Sequence, residues 1–345
     1  MIKSSLEKLI AGTDLRLEEA KNVMNEIMKG NVNNSLLSGL LVAFKSKGES
    51  AEEIAGFVLA MRNNSIKMNV SVDNAVDVCG TGGDNSGTFN ISTAVAFVVA
   101  GCGVRVAKHG NKSISSNCGS ADVLNELGVN INLPVEQSEE VLEKIGITFL
   151  FAPQYHPAMK HAAQVRKELA MKTIFNMIGP LSNPAGVKKQ LVGTYDDNAM
   201  NLMAKSAQYL EYEKICFICS GNKYDEIILD QETKIIEVNR NKLIENIITA
   251  DTFDYPKVKP SDIKGGGVKE NAQIILNALT QNYENKYFYT ICSNAALALY
   301  IAGISDDLLE CKSAAEQSVL SGAAYEKLVS LIEFGKSYNT KLVHK

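Results

Sequence analysis

Hydrophobic positions recur along this chain in two rhythms. Up to about residue 65 they fall at the three-to-four spacing of amphipathic helices, and helix start and stop signals divide them into short segments. Ser4 with Glu7 and Ser50 with Glu53 have capping-box spacing, Asn33 is placed to cap a helix over Leu36 to Lys47, and Gly30 and Gly48 are placed to end the helices before them. The pattern predicts a compact helical layer. From Val76 onward short β-rich apolar runs alternate with helical stretches: Val76 to Cys79, Val104 to Ala107, Ile147 to Ala152, Gln190 to Val192, Ile215 to Cys219 and Tyr287 to Cys292. Such alternation predicts a mostly parallel sheet covered by helices, with Ile228 to Asp254 as an antiparallel excursion. The expected fold is α/β. A small N-terminal helical domain over residues 1–70, joined by helices from about 155–185, accompanies a larger α/β domain over 71–345.

Composition narrows what this fold can do. A chain of 345 residues with 46% hydrophobic side chains can bury a large core. Its formal charge of −4 gives no global attraction for nucleic acid or an anionic membrane. No run of roughly 18 apolar residues occurs, and Met1 to Leu17 alternates charged with apolar residues, so a cytoplasmic protein without membrane partners is expected. The 7 cysteines are scattered; Cys216 and Cys219 have CxxC spacing but sit in an apolar run with no second pair nearby, and read as reduced, buried thiols. Apolar surface on the helical layer suggests a homodimer face.

The densest chemistry follows the first strand. Gly80-Thr81-Gly82-Gly83-Asp84-Asn85-Ser86-Gly87-Thr88 leads into Asn90-Ile91-Ser92-Thr93, which opens an apolar helix. Glycines let backbone N–H groups turn toward an anion, and a helix N-terminus adds partial positive charge, so phosphate is the natural guest. Asp84 would repel a phosphate unless ribose hydroxyls or a hydrated Mg²⁺ lie between them. After the second strand, Lys108-His109-Gly110-Asn111-Lys112-Ser113-Ile114-Ser115-Ser116 clusters cations and hydroxyls at the same sheet edge, which suits a pyrophosphate. His109 reads equally as a structural histidine or a substrate contact. Arg166, followed by Lys167 and Glu168, reads on spacing alone as part of a solvated helix face. Asp225-Glu226, after the run Ile215 to Cys219 and a turn, is a pair able to hold Mg²⁺ beside a phosphate, although acidic pairs are common on surfaces.

Together with Gly119 to Leu124, His156-Pro157-Ala158, Thr173 to Asn176, Gly179 to Pro184 and Asn294 to Ala296, these segments resemble the anthranilate phosphoribosyltransferase family, of the nucleoside-phosphorylase-like phosphoribosyltransferase class, over nearly the whole chain. The resemblance implies transfer of the 5-phosphoribosyl group from phosphoribosyl pyrophosphate to the amine of anthranilate, with Mg²⁺, in tryptophan biosynthesis. It implies that Gly80, Gly83, Asp84, Thr88, Asn90, Ile91, Ser92, Thr93 and Lys108 to Ser116 surround phosphoribosyl pyrophosphate, with Ser120 at its edge. Ser92, Asp225 and Glu226 would hold the metal. Gly80, Asn111 and Arg166 would receive anthranilate, which reverses the bland reading of that arginine. Lys108 would act electrostatically, and no dedicated general base is implied. The chain departs from the family pattern at Lys112, Asn117, Cys118, Ala170, Lys172, Lys223, Tyr224 and Gly267. A pyrimidine-nucleoside phosphorylase is disfavoured by the acidic pair and by the length. A nucleic-acid-binding relative is disfavoured by 35 Lys and Arg against 39 Asp and Glu.

Overall fold

The computed structural model describes residues 1–83, 86–112, 118–240, 242–280 and 283–343, of which 339–343 are described as backbone only. Four helices come first: α1 (Ile2–Ile10), α2 (Leu17–Met28), α3 (Asn34–Lys47) and α4 (Ala51–Asn63). The α4 capping box forms, with Glu53 N–H donating to Ser50 Oγ at 3.3 Å and Ser50 N–H to Glu53 Oε2 at 2.7 Å. Asn33 Oδ1 accepts from Leu36 N–H at 2.9 Å, and Gly30 and Gly48 turn left-handed at φ 76° and 85°. Ser4 caps nothing. The helix already starts at Ile2, because Ile2 and Leu6 pack on the core beside buried Leu9 and draw the preceding turn into the helix.

The α/β part alternates strands and helices. In chain order come β1 (Val76–Gly80), α5 (Ile91–Gly101), β2 (Val106–Gly110), α6 (Ser120–Glu126), α7 (Val135–Ile145), β3 (Ile147–Phe151), α8 (Ala152–Tyr155), α9 (Lys160–Leu169), α10 (Ile174–Leu181), β4 (Lys189–Gly193), α11 (Asp197–Ala207), β5 (Lys214–Ser220), β6 (Thr233–Asn239) and β7 (Lys242–Ile248). Four helices follow, α12 (Val268–Thr280), α13 (Lys286–Ala302), α14 (Leu308–Leu320) and α15 (Ala323–Val343). The seven strands form one sheet in the order β3-β2-β1-β4-β5-β6-β7. The pairs from β3 to β5 are parallel, and β6 and β7 add an antiparallel hairpin. The expected strand at Tyr287 to Cys292 is instead the opening of α13. Asn285 Oδ1 caps it by accepting from Tyr287 and Phe288 N–H, and the segment is buried between the sheet and α14.

Two large cores share the sheet with a smaller cluster around Ala107 of β2 and Leu150 of β3. One face of the sheet packs under α5 and α12 to α15. The other packs, at β4 to β6, against α10 and α11 and through them the N-terminal helices. Strand β5 shows the division: Cys216 and Ile218 point into the first core, Ile215, Phe217 and Cys219 into the second. Three residues apart in a strand, Cys216 and Cys219 therefore face opposite ways and cannot pair; both are free and buried. Burial pushes their thiols well above the ordinary range.

Candidate active site

The chain runs from β1 to β2 on one side and reaches β4 on the other, so β1 marks the point where the strand order reverses. Crevices beyond the carboxyl ends of strands at such a point bind ligands. Gly80 and Gly193, the last residues of β1 and β4, pair in register there. Above them lies the acidic pair. Gly82 N–H donates to Asp225 Oδ2 at 3.1 Å, and Ser92 N–H, in the first turn of α5, donates to Glu226 Oε1 at 3.1 Å. Ser220 Oγ donates to Glu226 O at 2.5 Å, and Asn294 of α13 brackets Ile227, accepting from its N–H at 2.9 Å and donating to its carbonyl at 3.1 Å. Two residues separated from the glycine turn by more than a hundred positions are thus locked onto it.

Both paired glycines are required by this approach. A Cβ on Gly80 would stand 2.6 Å from Asp225 Oδ2, and one on Gly193 would stand 1.6 Å from the Asp225 carbonyl oxygen. Gly193 did not stand out in the sequence; its only local mark is that a strand ends on it.

From β2, Lys108 is buried at 3% exposure, and its ammonium donates to Val78 O at 2.5 Å and Ser92 Oγ at 3.3 Å. Burial lowers its pKa, against the opposing charges of Asp77, Cys79 and Glu226. His109 faces His156 with ring centroids 5.2 Å apart, and the Nε2 of each ring is buried without a hydrogen-bond partner among the described residues. Burial, then the charges of His156 and Lys108, lowers His109 to about 3, and burial lowers His156 to about 4. Neither ring is a cation at neutral pH. Asn111 is exposed, and its carbonyl accepts from Ala121 N–H at 3.2 Å and Ser120 Oγ at 3.4 Å, tying the end of β2 to the start of α6. Asn90 Nδ2 donates to Cys118 O at 3.2 Å, while Ile91 and Thr93 point into the core and only their backbones can face a ligand. Thr88 pairs with Lys264, and Gly265 N–H donates to Gly87 O at 2.8 Å, so the segment around 264 lies over the turn. Asp84, Ser113, Ile114, Ser115, Ser116 and Asn117 lie outside the described residues.

Arg166 projects from α9, half-buried, with its guanidinium 5.0 Å from the ring centroid of Phe175. Among the described residues it makes no ion pair and shares no hydrogen bond with the donor-side groups, and burial lowers its pKa. Ala170 ends α9 at φ 47°, a left-handed conformation that costs a residue with a Cβ roughly 1 kcal/mol.

The neutral histidines imply a pH dependence. In the unfolded chain each takes up a proton near its ordinary value of 6.5, whereas in the fold each resists until about 3 or 4, so their stabilisation is complete above 6.5 and is lost as pH falls. Asp77, raised to about 6 mainly by burial, acts oppositely, since its folded form gains a proton first. Two histidines outweigh one aspartate, and stability should fall by about 2 kcal/mol from pH 6.5 to 5. Urea denaturation at several pH values measures this, and His156→Gln should reduce the slope.

The match to known proteins agrees with this geometry. Residues 3–65 match a glycosyl transferase family helical bundle domain and residues 72–325 a glycosyl transferase family a/b domain. The anthranilate phosphoribosyltransferase of Thermoanaerobacter sp. (strain X514) is 43% identical over 339 residues, covering 98% of this chain and 100% of the relative. The chain belongs to the anthranilate phosphoribosyltransferase family. A crystal structure of the Thermus thermophilus family member superposes with a TM-score of 0.90 at 36% identity, covering 96% of this chain and 99% of that one. The Saccharomyces cerevisiae anthranilate phosphoribosyltransferase, solved in complex with PRPP and Mg, superposes with a TM-score of 0.88 at 26% identity over 97% of this chain and 98% of that one. Among the described residues no helix is long and apolar enough to cross a membrane.

Proposed function

We propose that this chain, as an anthranilate phosphoribosyltransferase, transfers the 5-phosphoribosyl group from phosphoribosyl pyrophosphate to the amine of anthranilate, releasing pyrophosphate, and that it does so in the crevice above Gly80 and Gly193. The observation that carries the placement is the meeting of Asp225 and Glu226 with the glycine turn and the first turn of α5. Ser92, Asp225 and Glu226 present only oxygen donors, the set a hard cation prefers. Among the described residues there is no cluster of three His, Cys, Asp or Glu side chains able to enclose a metal, so Mg²⁺ would complete its shell with substrate oxygens and water. When bound, it neutralises the charge that develops on the departing pyrophosphate.

Breaking the ribose C1–O bond leaves positive charge on the sugar and negative charge on the leaving group. The chain's own contribution is preorganised: N–H groups of the glycine turn, the α5 N-terminus and the Lys108 ammonium all lie at that edge. In this reading Gly80, Gly83, Asp84, Thr88, the Asn90 to Thr93 turn and Lys108 to Ser116 hold the donor, with Ser120 at its rim, while Gly80, Asn111 and Arg166 receive anthranilate. The aromatic amine is neutral at pH 7 and needs placing rather than deprotonating. His109 and His156, uncharged and buried, offer polar ring edges without adding charge. Two lobes, residues 1–70 with helices from 155–185 and residues 71–345, would close on the substrates, and exposed Ile10 and Val42 of the helical lobe suit a homodimer face. A cytoplasmic location fits this pathway role.

The test mixes purified chain with phosphoribosyl pyrophosphate, Mg²⁺ and anthranilate. Loss of anthranilate fluorescence with matching pyrophosphate release is expected, and absence of turnover in freshly prepared protein would overturn the reading.

A further inference from the structure

One carboxylate at this end of the molecule is not in the crevice. Asp77 lies in the middle of β1, fully buried, and a charge in an otherwise apolar strand is costly unless its partners compensate. Three donors converge on it. His109 N–H reaches Oδ1 at 3.1 Å, and the amides of Asn183 and Gln190 reach Oδ2 at 2.8 and 3.0 Å. The charge of Lys108 is the largest influence opposing the effect of its burial.

The partners beyond Gln190 point one way. Gln190 Oε1 accepts from Tyr212 OH at 2.8 Å, and Tyr212 OH accepts from Arg62 Nη2 at 2.6 Å. Arg62 belongs to α4 of the helical lobe and is anchored by a 2.8 Å bond from Nε to Leu181 O. The chain of donors thus runs toward Asp77, from a guanidinium on the helical lobe to a carboxylate inside the sheet, with the Gln190 amide also donating to Pro180 O at 2.7 Å. Only an acceptor-only group can end such a chain and also take the His109 N–H. Asn183 adds a brace, since its amide also donates to Ala107 O at 2.9 Å. Residues 107 and 109 of β2 are thus held on either side of Lys108, whose ammonium reaches Ser92.

We propose that Asp77 is a positioning residue for the phosphoribosyl pyrophosphate site: through the His109 N–H it seats the carboxyl end of β2, and the Arg62–Tyr212–Gln190 chain ties that seat to the helical lobe. This rests on the reading of Lys108 to Ser116 as part of the donor site. Asp77 touches no substrate, so its effect should appear in donor affinity.

The test compares full-length Tyr212→Phe and Asp77→Asn with wild type and with Ile301→Val, a buried substitution at the far end of α13. Tyr212→Phe removes one link and should raise the KM for phosphoribosyl pyrophosphate about fivefold. Asp77→Asn sets an amide donor against donors and should raise it about tenfold. The KM for anthranilate should stay within about twofold for both, and Ile301→Val should lower Tm without moving either constant. The proposal is overturned if the two network variants lose Tm as Ile301→Val does yet keep the wild-type donor KM. Should Asp77→Asn fail to fold, Tyr212→Phe alone decides. A wild-type chain that neither turns over nor gains Tm with phosphoribosyl pyrophosphate and Mg²⁺ would overturn the donor-site reading, and this inference with it.

Discussion

Gly193→Ala is expected to lower kcat/KM for phosphoribosyl pyrophosphate by at least about a hundredfold while leaving the chain folded. The added Cβ would lie 1.6 Å from the Asp225 carbonyl oxygen and 2.6 Å from its carbonyl carbon, and these are backbone atoms that cannot rotate aside. Relief requires the 225–226 segment to move by more than an ångström. Tyr224 is paired to Ser220 through both backbone groups at 3.0 Å, and Asn294 grips Ile227 from α13, so the displacement is forced into the two acidic residues between those anchors. Their hold on Gly82 N–H and Ser92 N–H would go first. Misplacement of that size at a preorganised site costs about two orders of magnitude in rate, whereas overpacking costs the fold about 1–3 kcal/mol, which a protein of this size withstands. Steady-state kinetics across a Mg²⁺ titration, with circular dichroism to establish folding, checks it. The Mg²⁺ concentration for half-maximal rate should rise steeply, and near-wild-type activity would remove Asp225 and Glu226 from the proposed site.

Which parts of this site can be seen in the sequence depends on how far along the chain each residue's partner lies. The glycine turn is legible because its meaning is local: a strand, several glycines and a helix start occur within one segment. The five parallel strands are legible for the same reason, as short apolar runs between helical stretches. Tyr287 to Cys292 misleads because aromatic and β-branched residues favour strands, and because α13 is buried on every side from Thr290 to Leu299, which erases the helical period. Gly193 and Asp77 are opaque for a different reason. One glycine after a strand is unremarked until Asp225 arrives from 32 residues on, and one acid in a strand has no visible purpose until Asn183 and Gln190 close on it from over 100 residues away. The charge of Asp77 within an apolar run was the single available hint.

Arg166 illustrates how a structure can reverse a local reading. On spacing it belongs to a solvated face with Lys167 and Glu168, yet those neighbours are exposed while Arg166 is half-buried over Phe175. A guanidinium partly removed from water, with desolvation acting on its charge and no carboxylate within ion-pair distance among the described residues, is an incomplete pair. Anthranilate brings a planar carboxylate, the shape that a guanidinium fork engages with two parallel hydrogen bonds.

Arg166→Ala should therefore raise the KM for anthranilate by roughly 10- to 100-fold, the loss of a charge-assisted hydrogen-bonded pair worth about 1.5–3 kcal/mol. The KM for phosphoribosyl pyrophosphate should change by less than about threefold, since among the described residues no donor-side group hydrogen-bonds or ion-pairs with this arginine, and kcat at saturating anthranilate should fall little, as removal of uniform binding predicts. Arg166→Lys should recover only part of the affinity, because an ammonium supplies charge without the fork. Thermal stability should hold or rise slightly in Arg166→Ala, since the fold sheds an uncompensated charge and only a cation–π contact of about 0.5–1 kcal/mol. Equal increases in both KM values would show that Arg166 supports the helical lobe rather than the acceptor, and the acceptor site would then have to be sought elsewhere along the crevice.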